Sequence, residues 1–116
     1  MFLNLAHTKL DVFHCSKELV KLCYEQTKQF PMEEKYCLAQ QIRRAAISVH
    51  LNIAEGCSRK SVAERRRFFE IARGSIVEVD AALGIAVALS YISKEELQHT
   101  GDHLARSFNM ISKMMT

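Results

Sequence analysis

Tryptophan is absent from the 116 residues, proline occurs once and glycine four times. So few breakers exclude a loop-rich β architecture and favour long helices. No run approaches the ~18 apolar residues of a membrane span. The opening MFLNLAHTKLD has neither a basic flank nor a long apolar stretch, so it does not read as a signal peptide. The cysteines, Cys15, Cys23, Cys37 and Cys57, include no C-x-x-C pair, which excludes zinc-ribbon spacing. An even number permits disulfides, yet each falls in or beside an apolar helical pattern and is expected to be a reduced, core-packed thiol. There is no glycine-rich phosphate loop and no G-x-S-x-G. These absences point to a cytoplasmic protein that is not an enzyme and carries no cofactor.

What is present is globular. Hydrophobic residues make up 48% and charged residues 25%. The length suits one domain with a core of its own. Apolar residues recur at helical spacing in four segments. The first stripe is Val12, Phe13, Leu19, Val20, Cys23 and Tyr24, ending at Phe30-Pro31. The second is Leu38, Ile42, Ala45, Ala46, Val49 and Ile53, with Gly56 placed to end the helix. The third opens on the capping box Ser61-x-x-Glu64 and runs through Phe69, Ala72, Ile76, Val79 and Leu83 to Tyr91. The fourth opens on the capping box Ser93-x-x-Glu96 and carries Leu97, Leu104, Phe108, Ile111 and Met115. Helices are therefore expected over 10–29, 33–56, 62–91 and 94–115. Short connections make neighbours antiparallel, so the expected fold is all-α: one up-down-up-down four-helix bundle. Gly74, Gly84 and Gly101 fall inside helices, where close helix packing is the expected reason.

Two features lie outside this core. Ile47, Leu51, Ile71, Ile85, Val87 and Leu89 give helices 2 and 3 a second apolar face, either a wide core stripe or a subunit interface. Charge is also uneven. Residues 58–73 hold six cations, Arg59, Lys60, Arg65, Arg66, Arg67 and Arg73, against two carboxylates; residues 74–116 hold three against five. Arginine forks grip phosphate in bidentate fashion, so this segment is the candidate nucleic-acid site. Arg59, Arg66 and Arg73 share a face if the third helix reaches back that far. The alternative is a solvated face paired internally through Glu64–Arg67, Arg66–Glu70 and Glu70–Arg73, leaving Arg59, Lys60 and Arg65 free. Phe68 and Phe69 belong to the core stripe, so phosphate recognition is expected here and not base stacking.

Helix 2 reads Gln41-Ile42-Arg43-Arg44-Ala45-Ala46-Ile47-Ser48, then Asn52-Ile53-Ala54-Glu55-Gly56. Before it stands Phe30-Pro31-Met32-Glu33-Glu34-Lys35-Tyr36-Cys37-Leu38; after it come Phe68, Ile71, Ala72, Gly74, Ser75 and Glu78. In this order the blocks resemble the four-helix-bundle proteins encoded within intervening sequences of bacterial 23S ribosomal RNA genes, related to the accessory variability determinant of diversity-generating retroelements. His50 stands where that signature usually has proline, so helix 2 should run straight. The resemblance implies a homopentamer, association with RNA or DNA, and for the retroelement branch a reverse transcriptase partner. It implies no catalytic residues.

Arg43, Arg44, Ser48, Asn52 and Glu55 belong to that signature. They read either as a hydrogen-bonded polar seam or as a direct ligand site. Glu96-x-x-His99 and Asp11-x-x-His14 with Glu55 and Glu78 offer the residue types of a di-iron arrangement, and bundles host such sites. Glu96 already serves the capping box, and helix starts 1 and 4 lie at opposite ends, so no metal is expected. His99-Thr100-Gly101-Asp102-His103 lacks the glutamate of a zinc protease.

Overall fold

The computed structural model describes residues 1–116 and has four long helices and no strand: α1 Asp11–Thr27, α2 Leu38–Ser58, α3 Val62–Ala88 and α4 Gln98–Met114. Short 3-10 turns at Ala6–Lys9, Met32–Glu34 and Glu95–Leu97 precede α1, α2 and α4. α1 packs on α2 and α4, and α3 packs on α2 and α4, which closes the antiparallel bundle. At ~1.5 Å per residue the 27 residues of α3 span ~40 Å, nearly the whole 44 Å long axis. The core is continuous from Val12 to Met115 and centres on Leu19, Ile42, Ile53, Phe69, Val79 and Ile111.

Each of the four seams between neighbouring helices carries a polar latch. Ser16 Oγ and His50 Nδ1 (2.7 Å) join α1 to α2. Ser48 and Ser75 (2.9 Å) and Gln41 to Glu78 (2.6 Å) join α2 to α3. Arg73 donates to Ser112 (3.2 Å) between α3 and α4. Thr100 donates to Gln26 (2.6 Å), and Ser107 to the Cys15 sulfur (3.2 Å), between α4 and α1. Apolar packing tolerates sliding, whereas a polar pair closes in one alignment only; these latches, most of them part-buried and Gln41–Glu78 exposed, fix register. No buried side-chain nitrogen or oxygen lacks a partner.

The element ends differ from the periodicity reading for local reasons. Residues 33–37 form the end of a 3-10 turn and a further hydrogen-bonded turn, so α2 starts at Leu38. Gly56 does not end α2; the helix runs two residues beyond it. A Cβ at Gly56 would stand 2.6 Å from Cε1 of buried Phe69, so glycine is there for the close approach of α3. The other helical glycines, Gly74, Gly84 and Gly101, have nothing within 4 Å of a built Cβ, so packing within this chain does not require them. α3 stops at Ala88, three residues before Tyr91, in a Schellman motif. Ser90 takes φ 63°, its N–H donates to the Val87 carbonyl and that of Tyr91 to the Ala86 carbonyl. α2 is unbroken through His50. Cys15 and Cys23 are buried and Cys57 half-buried, but Cys37 lies exposed in the α1–α2 connection, outside the core. All four thiols are free.

Candidate nucleic-acid interface

The basic segment straddles the corner between α2 and α3. Arg59 caps the end of α2 with extended backbone, φ −81° and ψ 148°. α3 begins only at Val62, where Ser61 Oγ accepts from the Glu64 N–H (3.0 Å). Arg59 therefore does not share a helical face with Arg66 and Arg73. It sits over the Phe68 ring at 4.9 Å and pairs with Glu55 at 3.2 Å.

The remaining cations divide into anchors and free groups. Arg65 is half-buried; its Nη1 donates to the Cys57 carbonyl (3.1 Å) and to the Arg59 carbonyl (3.4 Å), satisfying acceptors that the end of α2 leaves open. Its guanidinium stands 5.8 Å from the Phe69 ring centre. Arg73 is spent on Ser112 and lies over Phe108. Lys60, Arg66 and Arg67 are exposed and bonded to no protein group. The expected pairs of Glu64 with Arg67 and of Glu70 with Arg66 and Arg73 do not close; the only two ion pairs are Glu18–Lys21 and Glu55–Arg59. The internal-pairing alternative, which would leave Arg59, Lys60 and Arg65 free, is therefore not the arrangement found: the free cations are Lys60, Arg66 and Arg67. Sequence spacing located the patch but could not show that Arg65 turns back onto the corner.

The five signature residues of α2 do not form one seam. Ser48 and Asn52 do: the Asn52 amide donates to the Ser48 carbonyl (2.8 Å) and hydroxyl (3.1 Å), and Ser48 meets Ser75. Glu55 turns to Ser58 and Arg59. Arg43 faces α1, where Nε donates to Thr27 Oγ1 (2.8 Å) and Nη2 to the Tyr24 carbonyl (3.4 Å). Arg44 is exposed. Metal-ligating side chains do not converge: no three of the histidine, cysteine, aspartate and glutamate groups come together. His99 and His103 meet edge to face, but His103 Nδ1 lies on the His99 carbonyl (3.0 Å). Glu96 is held by Ser93 in a reciprocal capping box.

Cys23, Cys57 and His50 are among the side chains tuned by their surroundings. Burial pushes the Cys23 thiol up to about 12. Burial raises Cys57 as well, against the pull of Arg65; neither is a thiolate nucleophile at neutral pH. His50 is lowered to about 4, first by burial and then by Lys17 and His7. Its ring stacks on Phe13 at 4.1 Å.

No helix is long and apolar enough to cross a membrane. The family model described as "23S rRNA-intervening sequence protein" matches residues 8–113. No curated protein matches the sequence. Among solved structures, the chain is similar to a protein of unknown function from the S23 ribosomal protein family of Bacteroides thetaiotaomicron. The TM-score is 0.80 at 18% identity, over 90% of this chain and 98% of that one. At that identity the likeness is one of fold.

Proposed function

The chain belongs to the family of 23S rRNA-intervening sequence proteins, and from that premise we propose that it is a non-enzymatic, homo-oligomeric module that binds structured RNA or DNA through the α2–α3 corner. The observation that carries the reading is the state of the cations there. Lys60, Arg66 and Arg67 are exposed and paired with no carboxylate, while Arg59 and Arg65 are used to build the corner that displays them. Phosphate neutralisation supplies most non-specific affinity, and a closed oligomer repeats the patch once per subunit. The family resemblance implies five copies. Self-association is supported by apolar side chains that the chain leaves uncovered on α2, on α3 and just past its end, namely Leu51, Ile71, Ile85 and Leu89; of the second apolar face only Ile47 and Val87 are even half-buried.

The test is a salt titration of binding to an RNA hairpin and a DNA duplex, with oligomer mass followed by light scattering. Arg66→Glu with Arg67→Glu should weaken binding at least ~10-fold and flatten the salt dependence at unchanged mass. Arg65 is left intact because it holds the corner. No binding even at low salt, with the oligomer formed, would overturn the reading. It would leave a protein-assembly scaffold, which the uncovered apolar side chains also fit.

A further inference from the structure

The opposite end of the molecule holds a second concentration of unpaired cations, and this one is interleaved with exposed aromatic rings. Two adjoining clefts flank the α1–α2 connection and share Lys35 and Arg43. One adds Lys28; the other adds Tyr24, Tyr36 and Arg44. No carboxylate lines either cleft. The nearby Glu34 is turned away, its carboxylate accepting from the Tyr91 hydroxyl (2.7 Å) at the α3–α4 connection.

Arg43 is preorganised. Its guanidinium lies 4.7 Å from the Tyr24 ring centre and is pinned by its bonds to Thr27 and the Tyr24 carbonyl. Those bonds use two of the five N–H donors of an arginine; the rest are uncommitted, and no acid is within ion-pair distance. A half-buried arginine without a carboxylate counter-ion keeps charged donors free for a phosphate oxygen. Beside it the Tyr36 ring is 79% exposed, with the Lys35 ammonium 5.4 Å from its centre. Arg44 is exposed and uncommitted on the next residue of α2. Cations that grip backbone phosphates and a ring on which a base can lie are the two requirements of single-strand binding. A duplex keeps its bases stacked inside and could use only the first.

We propose that the α1–α2 corner is a second nucleic-acid site, specific for single strands, in which Arg43, Arg44 and Lys35 hold phosphates and Tyr36 stacks a base. It is independent of the α2–α3 patch, which lies at the other end of a molecule 44 Å long and offers no exposed ring.

The experiment uses a fluorescent ten-nucleotide oligouridylate as probe, in protein already carrying Arg66→Glu and Arg67→Glu so that the other end is silent. Binding should persist in that background. Tyr36→Ala should weaken it about 5- to 20-fold with the salt slope unchanged, and Tyr36→Phe should keep it. Arg44→Glu should weaken it and lower the salt slope by about one phosphate. Both positions are exposed, so the fold survives either change, and light scattering reports the mass. Three results would overturn the proposal: loss of all binding in the Arg66→Glu, Arg67→Glu background, indifference to Tyr36→Ala and Arg44→Glu, or a fall in oligomer mass that accounts for the lost affinity.

Discussion

Stacked on Phe13 and bound to Ser16, His50 is held neutral by its site. The Ser16 hydroxyl donates to the Phe13 carbonyl (2.9 Å), so the imidazole Nδ1–H donates to Ser16 in turn. Charging the ring at its other nitrogen keeps that bond but puts a positive charge in a half-buried site beside Lys17 and His7. Its ordinary value of 6.5 falls to about 4 in the fold. The unfolded chain therefore takes up a proton that the native state refuses. The contribution of His50 to stability is complete above about pH 6.5, declines as pH falls and is gone below about 4. The ring is half exposed, so the loss is about 1–2 kcal/mol and not the full value of the shift. Urea unfolding at pH 7, 5.5 and 4 should show this decline, and His50→Gln, which bonds to Ser16 without titrating, should flatten it. The stripe of α2 marked its inner face in the sequence, and the missing proline marked position 50. Nothing in a linear pattern showed the ring reaching Ser16 on another helix. Gly56 reads as a helix end in sequence for the same reason: its neighbour Phe69 is thirteen residues away and in contact only after folding.

At the scale of elements, the four helices were legible because their apolar stripes are long and periodic, and Ser61 and Ser93 mark two starts with a chemistry that sequence displays directly. The stops were not. Helix ends are set by one residue's backbone, and glycine is the usual sign. Here a serine takes the left-handed position, so the apolar stripe reads on to Tyr91 with no stop signal. Ser90 bears the steric cost of φ 63° because its neighbours' hydrogen bonds hold it there. Ser90→Gly removes that cost and should raise stability by about 0.5–1 kcal/mol in urea or thermal unfolding, after the extra entropy of glycine in the unfolded chain is subtracted. A drop in stability would mean that the serine hydroxyl contributes more than the backbone loses.

For the molecule as a whole, the bundle and its single core followed from sequence, whereas the division of the basic segment did not. Six cations in sixteen residues are visible in the chain; that Arg59, Arg65 and Arg73 are consumed internally depends on carbonyls and rings that folding brings near. The clefts at the α1–α2 corner are not legible in the chain, where Arg43 and Arg44 read as seam residues and the two tyrosines lie on separate segments. The uncovered apolar side chains belong to this scale too. Ile85 and Leu51 are each more than half exposed, on helices whose other faces fill the core. If they meet a second copy, Ile85→Lys with Leu51→Lys should reduce the light-scattering mass to that of a single 13.2 kDa chain with helical content retained. An unchanged mass would place the subunit contact elsewhere.

The contact between Tyr91 and Glu34 has a kinetic consequence. It fastens the α1–α2 connection to the α3–α4 connection, and Phe30 and Tyr91 pack there at 5.6 Å. One pole of the bundle is thus clasped, while the other holds both chain termini and a three-residue corner. Thermal opening should start at the unclasped pole and travel along the helices like a zip, with amide exchange fastest near Ser61 and the termini and slowest beside the clasp. The two poles would then differ in lifetime as well as in chemistry.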